Sequence, residues 1–185
     1  MKKPSKSKTK RKIANSYLFM AKKYRGAGRF QKALNAIRVT LNTDPKFAEA
    51  YNEQGVVYRK LGDSSSAIKA YQKALRLMPK SAGIALNLGI CYLYEENEGV
   101  AGKYFKKAVQ LNPRHAYAHF NLGSLYFEEG KYPLAVKHLE KSIKYDPQFL
   151  AAYEICSIAH LVLGQTQKAG EIQRKAEKVK RVVRL

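Results

Sequence analysis

"HFNLGSLYF", residues 119–127, contains Asn121-Leu122-Gly123, and the same three residues stand 34 positions earlier at Asn87-Leu88-Gly89. Working outward, the interval holds along the chain. Pro45, Pro79, Pro113 and Pro147 share it, as do Tyr24, Tyr58, Tyr92 and Tyr126, and Ala33, Ala67, Ala101, Ala135 and Ala169. Gly55 joins Gly89 and Gly123. Self-similarity at a fixed period of this length marks an array of stacked supersecondary units. Cutting after the prolines gives repeats at 14–47, 48–81, 82–115, 116–149 and a degenerate, capping 150–183.

Each repeat shows helical spacing twice. In the fourth, His119, Leu122, Gly123 and Tyr126 share one face of a first helix, and Ala135, Leu139 and Ile143 share one face of a second. Gly130 suits a left-handed turn between them, Pro133 suits the first turn of the second helix, and the recurrent proline ends it. A two-helix hairpin cannot bury its own apolar face, so the hairpins must stack. The second repeat reads Tyr51, Gln54-Gly55, Tyr58, Ala67, Tyr71, Ala74 and Pro79, a succession that resembles the tetratricopeptide repeat family over residues 14–183. The resemblance implies an all-α fold, a right-handed superhelical solenoid of stacked helix-turn-helix hairpins. Departures are Met20-Ala21 in place of Leu-Gly and Glu96 where a turn glycine is usual, so an irregular turn is expected at "EENEG", residues 95–99.

At 100° per residue, Asn121 lies roughly 150° from the centre of its helix's core stripe and faces away from the partner helix. Tyr117 and Ser124 fall on that side, with Phe120 at its edge; Asn87, Ile90 and Tyr94 do the same one repeat earlier. A helix apolar on two sides is normally covered on both. By the resemblance, first helices line a concave wall, and asparagines before the Leu-Gly pair hydrogen-bond the backbone of a bound segment. An amide suits that task because it both donates and accepts. The equivalent positions elsewhere hold Phe19, Glu53 and Ile155, which leaves two rungs, and the competing reading has both amides bonding neighbouring repeats. Lys22, Arg25, Asn52 and Arg59 give the first two repeats a cationic face. The expected partner is another protein, contributing an extended or short helical segment with its acidic end near Arg25 and Arg59 and apolar anchors near Tyr94 and Phe120.

Net charge is +21, and residues 1–43 hold thirteen Lys or Arg and no acid. Residues 1–13 read as a basic, disordered tail in which Lys2, Lys3, Lys6, Lys8, Lys10, Arg11 and Lys12 attract anions; nucleic acid or an acidic membrane is the alternative partner. Uncapped repeat ends would permit a homo-oligomer. No apolar run is long enough for a signal peptide or membrane span, so an intracellular protein is expected, cytoplasmic or, in a eukaryote, nuclear. Cys91 and Cys156 lack zinc or redox spacing and read as small buried hydrophobes. The four histidines are not expected to converge: His119 and His160 occupy packing positions, and His115 lies in a turn. With no P-loop, GxGxxG or HExxH, the chain reads as a non-catalytic binding module without cofactor or metal.

Overall fold

The computed structural model describes residues 6–183, with side chains from 8 to 182. Among them the chain forms ten α-helices and no strand: α1 (Lys6–Gly26), α2 (Phe30–Thr43), α3 (Ala48–Lys60), α4 (Ser64–Leu77), α5 (Ala82–Tyr94), α6 (Glu98–Leu111), α7 (Ala116–Glu128), α8 (Tyr132–Tyr145), α9 (Leu150–Val162) and α10 (Thr166–Val183). The all-α class is therefore as the periodicity requires. First helices α3, α5, α7 and α9 each have 13 residues and second helices α2, α4, α6 and α8 each have 14, so one repeat is one hairpin. The chain divides into two compact units, one ending at Asn97 and the other beginning at Glu98, which separates α1–α5 from α6–α10.

Within each unit the core is shared between successive repeats. In the first, Ala14 and Leu18 of α1 meet Phe47 and Ala50 at the start of α3, and Ala21, Ala33, Ala36 and Ile37 meet Val57. In the second, Ala135 and Leu139 of α8 pack with Tyr153 and Cys156 of α9 and Ile172 and Ala176 of α10. The alanines spaced at 34 are 0–1% exposed in all five repeats, and within each unit only a methyl group fits where the second helix crosses the first.

The turns inside the hairpins use one device five times. Gly28, Gly62, Gly130 and Gly164 adopt φ of 70–78°, and in each case two backbone N–H groups after the helix return to its last carbonyls. At the expected irregular turn, Glu96 takes φ 54°, with Glu96 N–H donating to Leu93 O at 2.9 Å and Asn97 N–H to Tyr92 O at 2.8 Å, the same bonds made at the glycines. The turn is thus regular, and a residue with a Cβ bears the steric cost. Glu96→Gly is expected to raise stability by about 1 kcal/mol, measured as an upward shift of the denaturant midpoint with an unchanged slope.

The basic N-terminal segment departs from expectation. Residues 6–13, taken as disordered tail, form the opening of α1, which reaches 21 residues. Arg11 secures this extension: its guanidinium pairs with Asp44 and lies over the Phe47 ring, 4.0 Å from the centroid. Lys2 and Lys3 lie outside the described residues, as does the Lys6 side chain.

Candidate peptide-binding face

In the first unit, α1, α3 and α5 bring together part of the expected set. Asn87 Nδ2 donates to Asn52 Oδ1 at 3.5 Å, so an amide pair links neighbouring first helices. The pairing runs to Asn52 rather than to Glu53, the residue 34 positions back. Glu53 is instead 4% exposed and receives the Arg25 guanidinium. That buried carboxylate answers the Arg25 charge internally, where an acidic partner end had been expected to do so. Arg59 is half-buried, with its Nε and the Tyr71 hydroxyl both enclosed without a hydrogen-bond partner. Burial pushes the Tyr71 phenol up to about 12, against the pull of the Arg59 charge. Lys22 remains exposed, Ile90 is half-buried, and Tyr94 is 68% exposed.

In the second unit, α7 carries a continuous strip. Tyr117, Phe120, Asn121 and Ser124 follow the i, i+3, i+4, i+7 spacing of one helix face. Tyr117 is 51% exposed, yet its ring lies 4.6 Å from Phe149, which also holds Phe120 at 4.6 Å. Phe149 is the N-cap residue of α9. Asn121 Nδ2 donates to Tyr117 O of its own helix at 2.7 Å, leaving the side-chain oxygen as the acceptor turned outward from that bond. Ser124 Oγ is buried without a partner. The strip therefore offers an aromatic platform and one amide oxygen, while the Ser124 hydroxyl is enclosed beneath it. Its missed member, Phe149, had a signal in sequence: Phe47 occupies the same position two residues after its proline, 102 residues earlier.

The histidines correct a second expectation. His119 Nδ1 and His138 Nδ1 are 3.0 Å apart. Tyr51 and Tyr153 donate their hydroxyls to the carbonyls of Pro45 and Pro147, and at the equivalent position His119 Nε2–H donates to Pro113 O at 3.0 Å. A carbonyl only accepts, so His119 carries its proton on Nε2 and accepts at Nδ1 from His138 Nδ1–H. The pair is a tyrosine replacement with a second ring behind it. Among the described residues no three His, Cys, Asp or Glu side chains come together around one point. Burial pushes the Cys91 thiol up to about 11 and Cys156 to about 12, so both stay protonated and unreactive at neutral pH. Lys8, Lys10 and Lys12 stand exposed on α1, while Arg11 is tied to Asp44. No helix among the described residues is long and apolar enough to cross a membrane.

The family pattern described as tetratricopeptide repeat matches residues 48–81 and 116–149, and a second pattern of the same description matches 82–115. The chain belongs to the tetratricopeptide repeat family. Its matched repeats are the ones contributing Asn52, Asn87 and Asn121. Among solved tetratricopeptide-type folds, a crystal structure of MamA is 27% identical, with 91% of this chain and 92% of that one covered at a TM-score of 0.76. PilF of Pseudomonas aeruginosa is 20% identical over 92% of this chain and 78% of that one, with a TM-score of 0.85. YrrB, described as a TPR protein with an unusual peptide-binding site, is 24% identical over 88% and 84%, with a TM-score of 0.69. The last two speak to the fold. No curated protein matches the chain.

Proposed function

We propose that this tetratricopeptide repeat protein is a non-catalytic adaptor that holds a segment of a partner protein against its first helices. The observation that carries the reading is the α7 strip: a half-exposed Tyr117 on Phe149, beside the amide of Asn121. Exposed aromatic area gives a partner's apolar side chain something to displace water from, and the polar atoms fix the segment's register. In the first unit Asn52 Nδ2 and Asn87 Oδ1 play the corresponding role, since their mutual bond uses only the other half of each amide. An acidic partner end would meet Lys22 most directly, because Arg25 already answers Glu53.

The basic opening of α1 gives a second, electrostatic contact. Three exposed lysines within five residues on a helix without acids attract an anionic surface on the partner, or nucleic acid or acidic lipid in the alternative reading. The experiment is selection of peptides from a display library on the intact protein, followed by calorimetry with Tyr117→Ala/Asn121→Ala and with Lys8→Ser/Lys10→Ser/Lys12→Ser. The strip variant should lose affinity by tenfold or more, about 1.4 kcal/mol, at any salt. The lysine variant should lose only the salt-dependent part. Equal affinity of the strip variant and the wild type overturns the reading.

A further inference from the structure

The first helix and the last hairpin each retain a face that the repeat pattern builds for a neighbour and that leaves apolar side chains open. Inside the first unit, α3 sets Phe47 and Ala50 on Ala14 and Leu18, with Leu41 packed alongside. Inside the second, α9 sets Tyr153 and Cys156 on Ala135 and Leu139. Carried back by whole repeats, Phe47 corresponds to Ile13 and Cys156 to Met20. Both lie on α1, 43% and 41% exposed, while Phe47 is 3% and Cys156 0%. Thus α1 keeps two of these apolar positions open, Ile13 and Met20, while Ala50 and Val57, the other α3 residues set on the first hairpin, correspond to Ser16 and Lys23.

The receiving face is complementary. Leu18, Ala21, Ile37, Thr40 and Leu41, on the side of the first hairpin that takes α3, correspond four repeats later to Glu154, Ser157, Gln173, Ala176 and Glu177. These five line an open cleft of about 370 Å³ between α9 and α10, with the half-exposed Ile158 at its rim. The repeat register, taken from the packed hairpins, and the cleft, taken from the surface, locate the same place independently. Its chemistry has changed, however: three apolar residues have become two carboxylates and an amide. A helix seated there must be cationic as well as apolar. α1 contains no acidic residue: by register Ile13, next to Lys12, would come to rest where Glu154 and Glu177 stand, and Lys23, in the place of Val57, would lie over Ser157 and Gln173. Glu177 already meets Lys180 at 3.2 Å, but an exposed pair of that kind contributes little and is readily exchanged.

We propose that the cleft between α9 and α10 receives α1 of a second copy of the chain, continuing the repeat head to tail. The contact is heterologous, so one copy's cleft and the next copy's α1 stay available for extension until the chain of copies closes or ends. It uses residues distinct from the α7 strip. At about 0.15 M salt the Debye length is about 8 Å, which screens the mutual repulsion of two strongly cationic copies while leaving contact pairs in place.

The test is sedimentation velocity of the full chain over a dilution series at that salt, with helicity checked by circular dichroism. Wild type should gain mass with concentration. Ile13→Asp/Met20→Asp, which spoils only the inserting helix, and Glu154→Lys/Glu177→Lys, which spoils only the cleft, should each need at least about tenfold more protein to associate. Mixed together, the two variants should form a 1:1 complex that grows no further, because one intact α1 then meets one intact cleft. A monomeric wild type, a variant that associates as wild type does, or a mixture that stays monomeric overturns the proposal.

Discussion

Gly123→Ala is expected to destabilise the second unit by about 2 kcal/mol and Leu139→Ala by about 3 kcal/mol, whereas the double variant should cost clearly less than their sum. A Cβ at position 123 would stand 2.8 Å from Leu139 Cγ, 3.2 Å from Leu139 Cδ2 and 3.2 Å from the Ala135 carbonyl oxygen. Leu139 is fully buried and held on its other sides by Tyr153, Cys156 and Ile172, so it cannot step aside. Overpacking of this kind costs about 3 kcal/mol, and the better helix propensity of alanine returns about 1 kcal/mol.

Truncating Leu139 alone leaves a cavity between α7, α8 and α9. In the double variant the new methyl enters the space that the leucine vacates, so each substitution relieves the other. The coupling should be about 1 kcal/mol or more in the direction of mutual rescue, read from denaturant unfolding of the four proteins. Strict additivity would show that the close approach of α8 is not why position 123 is glycine. The tripeptide at 121–123 then owes its glycine to the packing of the next helix, and only its asparagine to the outer face.

That division explains what could be read before the structure. The alanines at 33, 67, 101, 135 and 169 are legible because the same small residue returns at every period, and all five are buried. Hairpin ends are legible for a similar reason, since a left-handed turn wants glycine. Glu96 shows the limit, because backbone hydrogen bonds imposed the turn on a residue that resists it. The helical opening of α1 is held by Arg11, whose partners Asp44 and Phe47 lie more than 30 residues on, and no local pattern carries such a pairing. The candidate face reads from sequence as a side of each first helix; of its internal pairings only an amide bond between neighbouring repeats is legible, and Asn87 makes it while Asn121 bonds its own helix. Arg25 with Glu53, and Asn52 with Asn87, join positions that are offset from the strict 34-residue register. Periodicity places residues on a face; it does not say which of them satisfy one another.

Lowering the pH from 7 toward 4.5 is expected to weaken the second unit by about 2 kcal/mol through the His119–His138 pair, beyond what the carboxylates contribute. Burial depresses the His138 imidazole to about 4, with positive charge on His119, Lys141 and Lys137 adding to it. His119 is also lowered, chiefly by burial, although its bond to the Pro113 carbonyl pulls the other way and Lys141 and His115 oppose protonation. The other groups against the pair are the rings of Tyr126 and Tyr145. Between about 4 and the ordinary histidine value of 6.5, the unfolded chain therefore binds protons that the folded chain refuses. Stability from the neutral pair is complete above 6.5, declines as the pH falls through that window, and levels off below about 4 for His138. A full shift in a wholly buried group would give more than 2 kcal/mol, but His138 is only half-buried and water screens part of it. His138→Gln keeps a donor for His119 Nδ1 while removing the titrating ring, so the variant should unfold with a distinctly flatter pH dependence between 6.5 and 4.5 than the wild type. Carboxylate titration is common to both proteins and cancels in the comparison. Parallel pH profiles would mean that the two rings accept a shared proton without cost, and that His119 merely fills the place that Tyr51 and Tyr153 hold elsewhere.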